Sequence, residues 1–259
     1  MMRLRIGKLH VIVSAVSLFW TGLHTALAQP PRPPQAVGSP RESAAIDLTG
    51  YWVSVVNEDW RWRMVTPPKG DYSSLPLNVE GRRVGDTWDP ATDGSCLAYG
   101  AAALLRMPTR VRIDWDSDTI LTLETDAGRQ MRTLNFAASA PPVRPTLQGH
   151  SVAEWQFTRP PPGGLGFAPP SGPRAQGGSL KVVTTNLSGG WLRRNGAPYS
   201  AEAVVTEYFD RFPSPNGEQW FVVTTIVDDP VYLNQPYITS SHFRREPDGS
   251  KWRPTGCAE

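Results

Sequence analysis

The sequence predicts an all-β protein whose strands close into a single antiparallel barrel or a strongly curved, barrel-like sheet. Three observations carry that expectation. From about residue 46 onward, short runs rich in β-branched and aromatic residues alternate with Gly, Pro, Asp and Asn punctuation. Two pairs of such runs flank turn chemistry, at Asp126-Ala127-Gly128 and at Pro213-Ser214-Pro215-Asn216-Gly217. Helical periodicity is confined to Ala101–Met107, with a competing reading at 198–212. About eight or nine strands with so few helices must close or double over to protect their edges. A two-sheet sandwich is the alternative. The 259 residues allow one large domain, and a chain of that size buries roughly 70% of its unfolded surface without metals or many disulfides.

The elements follow in order. Residues 1–28 read as a signal peptide: Arg3, Arg5 and Lys8 precede an apolar run from Val11 to Leu23, and Ala26-Leu27-Ala28 offers a cleavage pattern. The run is shorter than a membrane span needs and is broken by Ser, Thr, Gly and His. An exported chain, periplasmic or secreted, with no membrane span after signal removal, is expected. Residues 29–45 are rich in Pro and polar side chains and read as an extended tether. The barrel domain is then 46–259. Its candidate strands are Tyr51–Val56 with a continuation over Trp60–Val65, Thr109–Asp114, Thr119–Thr125, Arg129–Phe136, Ser151–Phe157, Ser179–Asn186, Glu202–Phe209, Gln219–Val227 and Ile238–Arg244. The 198–212 stretch suits a helix as well, but Val204, Val205, Thr206, Tyr208 and Phe209 favour a pleated surface. Residues 159–178 hold six Pro and six Gly and cannot supply a ladder. They read as an insertion between strands or as a lid at a pocket mouth with Leu165 and Phe167 at its tip.

Composition excludes several function classes. Lys plus Arg number 26 against 24 Asp plus Glu, and the segment 1–28 carries three of the basic residues and no acidic one. That balance is wrong for a nucleic-acid binder. No phosphate loop, Gly-x-Gly-x-x-Gly or His-Glu-x-x-His is present, so no cofactor is expected. After residue 28 the histidines are His150 and His242, too few for a His-rich centre, and no metal is expected. In an oxidising compartment Cys96 and Cys257 read most simply as a disulfide; a reactive thiol pair lacks the usual spacing. Gly149-His150-Ser151-Val152-Ala153 misses the last Gly of a nucleophile elbow.

Two resemblances add to this reading. Gly50-Tyr51-Trp52 resembles the Gly-x-Trp that opens the first strand of lipocalin-type barrels. The strings Glu58-Asp59-Trp60-Arg61-Trp62-Arg63-Met64, Gly149-His150-Ser151-Val152 and Val227-Asp228-Asp229-Pro230 resemble a group of exported bacterial proteins without an established activity. The second resemblance implies a single exported domain and carries over no catalytic residues.

The candidate site residues come from the strands. Over Glu58–Val65, alternation would put Glu58, Trp60 and Trp62 on one face and Arg61 and Arg63 on the other. One face would be an aromatic pocket with a carboxylate, the other an anion clamp. A plain amphipathic strand explains the same pattern. In the Asp126-Ala127-Gly128 hairpin, Glu124 and Arg132 are expected on one face as diagonal neighbours. His150 is the best titratable group at a strand end, with His242 a second. Glu207 is a carboxylate on an otherwise apolar strand face, the setting that general acid–base work uses. The expectation is a barrel holding a small hydrophobic or aromatic, anionic ligand. Glu58, His150 and Glu207 would serve in a cofactor-free lyase or isomerase reaction, and Trp60, Arg61, Trp62, Arg63, Glu124 and Arg132 would bind. A carrier or sensor with the same pocket, and an envelope interaction domain, are the alternatives.

Overall fold

The structure is a computed structural model that describes residues 38–92, 96–157 and 177–257. Nine strands close into a barrel, and two more form a separate hairpin. In chain order the barrel strands are β1 (Gly50–Val55), β2 (Arg110–Trp115), β3 (Ile120–Thr125), β4 (Met131–Asn135), β5 (His150–Phe157), β6 (Gly178–Thr185), β9 (Val204–Pro213), β10 (Gln219–Asp228) and β11 (Tyr237–Glu246). The hairpin is β7 (Gly190–Arg193) with β8 (Ala197–Tyr199). Around the barrel the order is β1-β11-β10-β9-β6-β5-β4-β3-β2. The all-β barrel expected from the sequence is therefore present, and 204–213 is strand, as its β-branched residues favour.

One junction departs from the antiparallel expectation: β4 and β5 run parallel, with Leu134 opposite Ser151. Residues 136–149 connect them, and Pro141, Pro142 and Pro145 keep that segment from folding back as a hairpin. A crossover of this length is what a parallel pair requires.

The barrel interior is a filled core. At one level Phe221 stacks on Phe243 at 4.7 Å and meets Trp52 edge-on at 4.9 Å. Val111, Leu123, Leu134 and Leu180 complete the same cluster from the other strands. The Trp52 indole N–H donates to the Leu48 carbonyl at 2.8 Å, so its polar edge is satisfied inside the wall. The hollow expected from the sequence is thus occupied at this level by the protein's own rings, as small barrels of about eight strands allow.

The two ends differ. At the upper end β1, β3, β6 and β10 finish and their antiparallel partners begin. There residues 56–92 and 96–107, the β7–β8 hairpin and residues 229–236 form a cap. It holds a second apolar cluster that includes Leu77, Leu187, Tyr199 and Val227. The cap carries two short helices, α1 (Trp60–Arg63) and α2 (Val79–Gly85). α2 starts at Asn78, whose side chain accepts from the Gly81 N–H at 2.8 Å. The 101–107 stretch forms only a 3-10 turn at Leu104–Arg106.

At the lower end Trp115, Phe136 and Trp155 pack with centroids 5.2–6.5 Å apart. The part of the 29–45 tether that is described is not extended: Ser39 and Glu42 cap one another, and the Pro40 carbonyl accepts from Trp155 Nε1 at 2.7 Å. The signal peptide and residues 159–176 of the Pro/Gly-rich loop lie outside the described residues.

The C-terminal tail returns from the end of β11 to the β3–β4 turn, where the Thr255 N–H donates to the Asp126 carbonyl. Cys257 is bonded to Cys96 across a sequence separation of 161, as expected. Among the described residues, no helix is long and apolar enough to cross a membrane.

Candidate functional site

Glu58-Asp59 ends β1's run in a turn rather than continuing it. Asp59 takes the left-handed conformation (φ 51°), which Asp tolerates better than most residues. The four residues Trp60–Arg63 then form a helical turn. The strand alternation expected over Glu58–Val65 is therefore corrected: the chain reverses at Asp59, and 3.6-residue spacing replaces two-residue spacing. Trp60 points outward, 64% exposed, while Arg63 is turned into the cap. Asp59 makes no helix-capping bond, which leaves its carboxylate to pair with Arg106 at 2.7 Å.

Arg63 is the anchor of this corner. Its Nη1 meets Glu58 at 2.7 Å, its Nε donates to the Arg106 carbonyl at 2.9 Å, and its Nη2 reaches Ser54 at 3.4 Å. The other Glu58 oxygen lies 3.3 Å from His242 Nδ1, so one carboxylate touches both a guanidinium and an imidazole at the barrel rim. Burial pulls Arg63 below the usual arginine range, and the neighbouring Arg106 charge lowers it further. Arg193, on β7, is lowered mainly by burial, with Arg106 adding to the effect and Tyr237 opposing it. Three guanidiniums thus share one low-dielectric corner. Arg63 and Arg106 are each 8% exposed and Arg193 is 5% exposed.

Their hydrogen bonding is incomplete. Arg106 Nη1 is buried with no hydrogen-bond partner, the Arg193 guanidinium has only the Tyr237 hydroxyl for its two buried Nη atoms among the described residues, and Trp62 Nε1 is turned to the Asp71 carboxylate. The Tyr237 oxygen opposes the lowering of Arg193 both electrostatically and as its side-chain hydrogen-bond partner. The Arg193 guanidinium lies over the Trp62 ring at 5.1 Å, and Arg106 lies 6.0 Å from the Tyr237 ring centroid. A narrow cleft of about 30 Å³, room for one water or one ligand oxygen, is lined by Trp62, Arg63, Arg106, Arg193 and Arg194. Four arginines face it, against Glu58 and Asp59, so its balance is positive.

A second polar group sits inside the barrel. Arg132 and Glu207 are fully buried and form a two-point pair, Nη1 to Oε1 at 3.0 Å and Nη2 to Oε2 at 2.6 Å. Thr184 accepts from Arg132 at 3.1 Å, and Ser151 and Thr184 bond each other at 2.8 Å. Glu207 is therefore not the lone carboxylate expected from the apolar strand pattern. It neutralises the one charge opposite it.

The expected pairing of Glu124 with Arg132 is corrected by the register. Leu123 stands opposite Arg132 and Glu124 opposite Met131. The turn takes in Arg129 as well as Asp126-Ala127-Gly128, with Gly128 at φ 74° and Arg129 at φ 49°. That shifts the pairing by one residue and sends the two side chains to opposite faces. Glu124 faces out beside Arg112, 4.0 Å away. His150 lies half-buried on the outer side of β5, opposite Thr185. Arg61 is exposed beside Trp62.

The structure therefore gathers Glu58, Trp62 and Arg63 at one corner and Arg132 with Glu207 in the barrel. It leaves Trp60, Arg61, Glu124 and His150 away from both. Sequence reasoning missed Arg106, Arg193 and Tyr237. The available signal for Arg193 was Asn195-Gly196, a turn pair just after a short aromatic run. Among the described residues, no group of three or more His, Cys, Asp or Glu is placed to hold a metal ion. Comparison with protein-family models, curated proteins and solved structures found no match to this chain.

Proposed function

We propose that this protein binds a small anionic ligand at the capped mouth of its barrel, as an exported carrier or sensor. The observation that supports this reading best is the pair of buried guanidiniums, Arg106 and Arg193, that line one cleft with N–H groups left without acceptors. Buried donors without acceptors are costly, typically about 1–3 kcal/mol each, and charged ones more. A carboxylate, phosphate or sulfate oxygen supplies the missing acceptor and the missing negative charge together. Because the barrel interior is filled, this reading puts the ligand in the cap and not in the lumen. The disulfide and the absence of a membrane-crossing helix among the described residues are compatible with export.

The test is calorimetric titration of the protein with inorganic phosphate. Saturable binding is expected, weakened at least about tenfold in Arg193→Gln, in line with the loss of a charged hydrogen-bond donor. No saturable binding, or equal binding by the variant, would overturn the reading.

A second reading keeps the acid–base chemistry. Glu58, held by Arg63 and touching His242, is at the rim of the same corner. A proton taken from an acidic C–H by Glu58 or His242 and delivered to the adjacent carbonyl oxygen would be an isomerase step, keto to enol. Phenylpyruvate carries an anion, a ring and exchangeable C3 protons. This reading predicts deuterium uptake at C3 in heavy water above the buffer rate, lost in Glu58→Gln. Uptake at the buffer rate would leave only the binding reading.

A further inference from the structure

The arginine cleft adjoins a second, larger cavity, and the two share Thr66 and Arg194 in their walls. The second cavity is about 400 Å³, within the roughly 300–1,000 Å³ range of small-molecule pockets. Its lining differs from that of the first: Trp88, Pro90, Ala91, Leu97 and Tyr99, with the Cys96–Cys257 disulfide as part of the wall. Local packing fixes that wall. Gly196, at φ 79°, lets the Trp88 ring lie directly on its backbone, where any Cβ would collide with the indole. Gly128 in the β3–β4 turn gives Tyr99 the same close approach. Arg194 is exposed at the junction, with no carboxylate within ion-pair distance among the described residues.

We infer that the ligand is an amphiphilic aromatic acid, whose anionic head meets Arg106 and Arg193 while its ring body lies in the Trp88–Tyr99 cavity beside the disulfide. This inference rests on the anion-binding reading above and adds the ligand's second half. The first cleft has room for one ligand oxygen, so the rest of any ligand it holds lies outside it. The adjoining cavity supplies apolar and aromatic surface on one side of that point, with Thr66 and Arg194 lining both. Only a molecule with a charged end and a flat apolar end uses both.

Four probes test this by calorimetry: inorganic phosphate, acetate, 2-naphthoate and the uncharged 2-naphthylmethanol. The naphthoate should bind at least about tenfold more tightly than acetate, because its rings are removed from water. It should also bind more tightly than the alcohol. Ala91 is exposed and lines the second cavity, so Ala91→Trp should fill that space. The variant should bring naphthoate down to the level of acetate while phosphate binding stays unchanged, which also certifies its fold. Naphthoate binding no tighter than acetate, with phosphate binding intact, overturns this inference and leaves the anion reading standing. Naphthoate affinity unaltered by Ala91→Trp, or matched by the alcohol, overturns it as well. Binding of none of the four probes overturns both.

Discussion

Arg132 and Glu207 show what a buried charge costs and what holds it. Each is fully buried, and among the described residues each is the other's only ion-pair partner, with Thr184 and Ser151 beside them. Removing one partner leaves an ion stranded in a low-dielectric core, so Arg132→Met or Glu207→Leu alone should destabilise the protein by about 3–5 kcal/mol in urea unfolding. The double variant should recover at least half of that loss, since neither ion then remains. A double variant as unstable as the sum of the singles would mean the pair is not coupled. Two tyrosines set the alkaline limit. Burial first, and then the Asp86 carboxylate that accepts its hydroxyl proton, push Tyr72 up to about 12 from 10.0. Burial raises Tyr199 as well. Below pH 10 these phenols are protonated in both states, and their contribution to stability is full. Above it the unfolded chain releases its protons first, so stability falls as pH rises from 10 toward 12. Tyr72→Phe should flatten that decline when urea midpoints are compared at pH 9, 10 and 11, and an unchanged slope would contradict the assignment.

Among the elements, the cap depends on close backbone approaches more than on secondary structure. Gly196→Ala adds a Cβ against the Trp88 ring at a left-handed φ. It should cost about 1–3 kcal/mol through the strained backbone alone and loosen the wall of the second cavity, read as a shift in tryptophan fluorescence. The strands were legible in the sequence because period-two patterning survives wherever one face is buried. Phe221, Val223 and Val227 on β10 face inward, as do Val205 and Phe209 on β9. The Glu58–Val65 segment misled because its alternation of Trp and Arg imitates a strand. What decided the outcome was the left-handed Asp59 and its ion pair with Arg106, a partner 47 residues away. The Glu124–Arg132 pairing failed by one residue of turn length, which inverts every face downstream of it. The site was half legible: Glu58, Trp62 and Arg63 carry their own local signal, whereas Arg106 and Arg193 join them only through tertiary folding of the cap.

At the scale of the whole molecule, a filled barrel carries a cap that holds the proposed site. The lower end is closed by Trp115, Phe136 and Trp155 against the residues around Pro40. The C-terminal tail is locked to the cap by the Cys96–Cys257 bond, which closes a long loop. Reduction should cost about 2–5 kcal/mol, read as a lower thermal midpoint with dithiothreitol, and an unchanged midpoint would show that the tail is held by other contacts. The proposed anion site of the cap lies at its buried guanidiniums. Its most direct test is a crystal of the protein soaked in selenate and measured at the selenium absorption edge. The account predicts an anomalous peak within hydrogen-bond distance of Arg106 Nη1 and the two Nη atoms of Arg193. Ordered waters at those atoms, with no selenium peak between them, would contradict it.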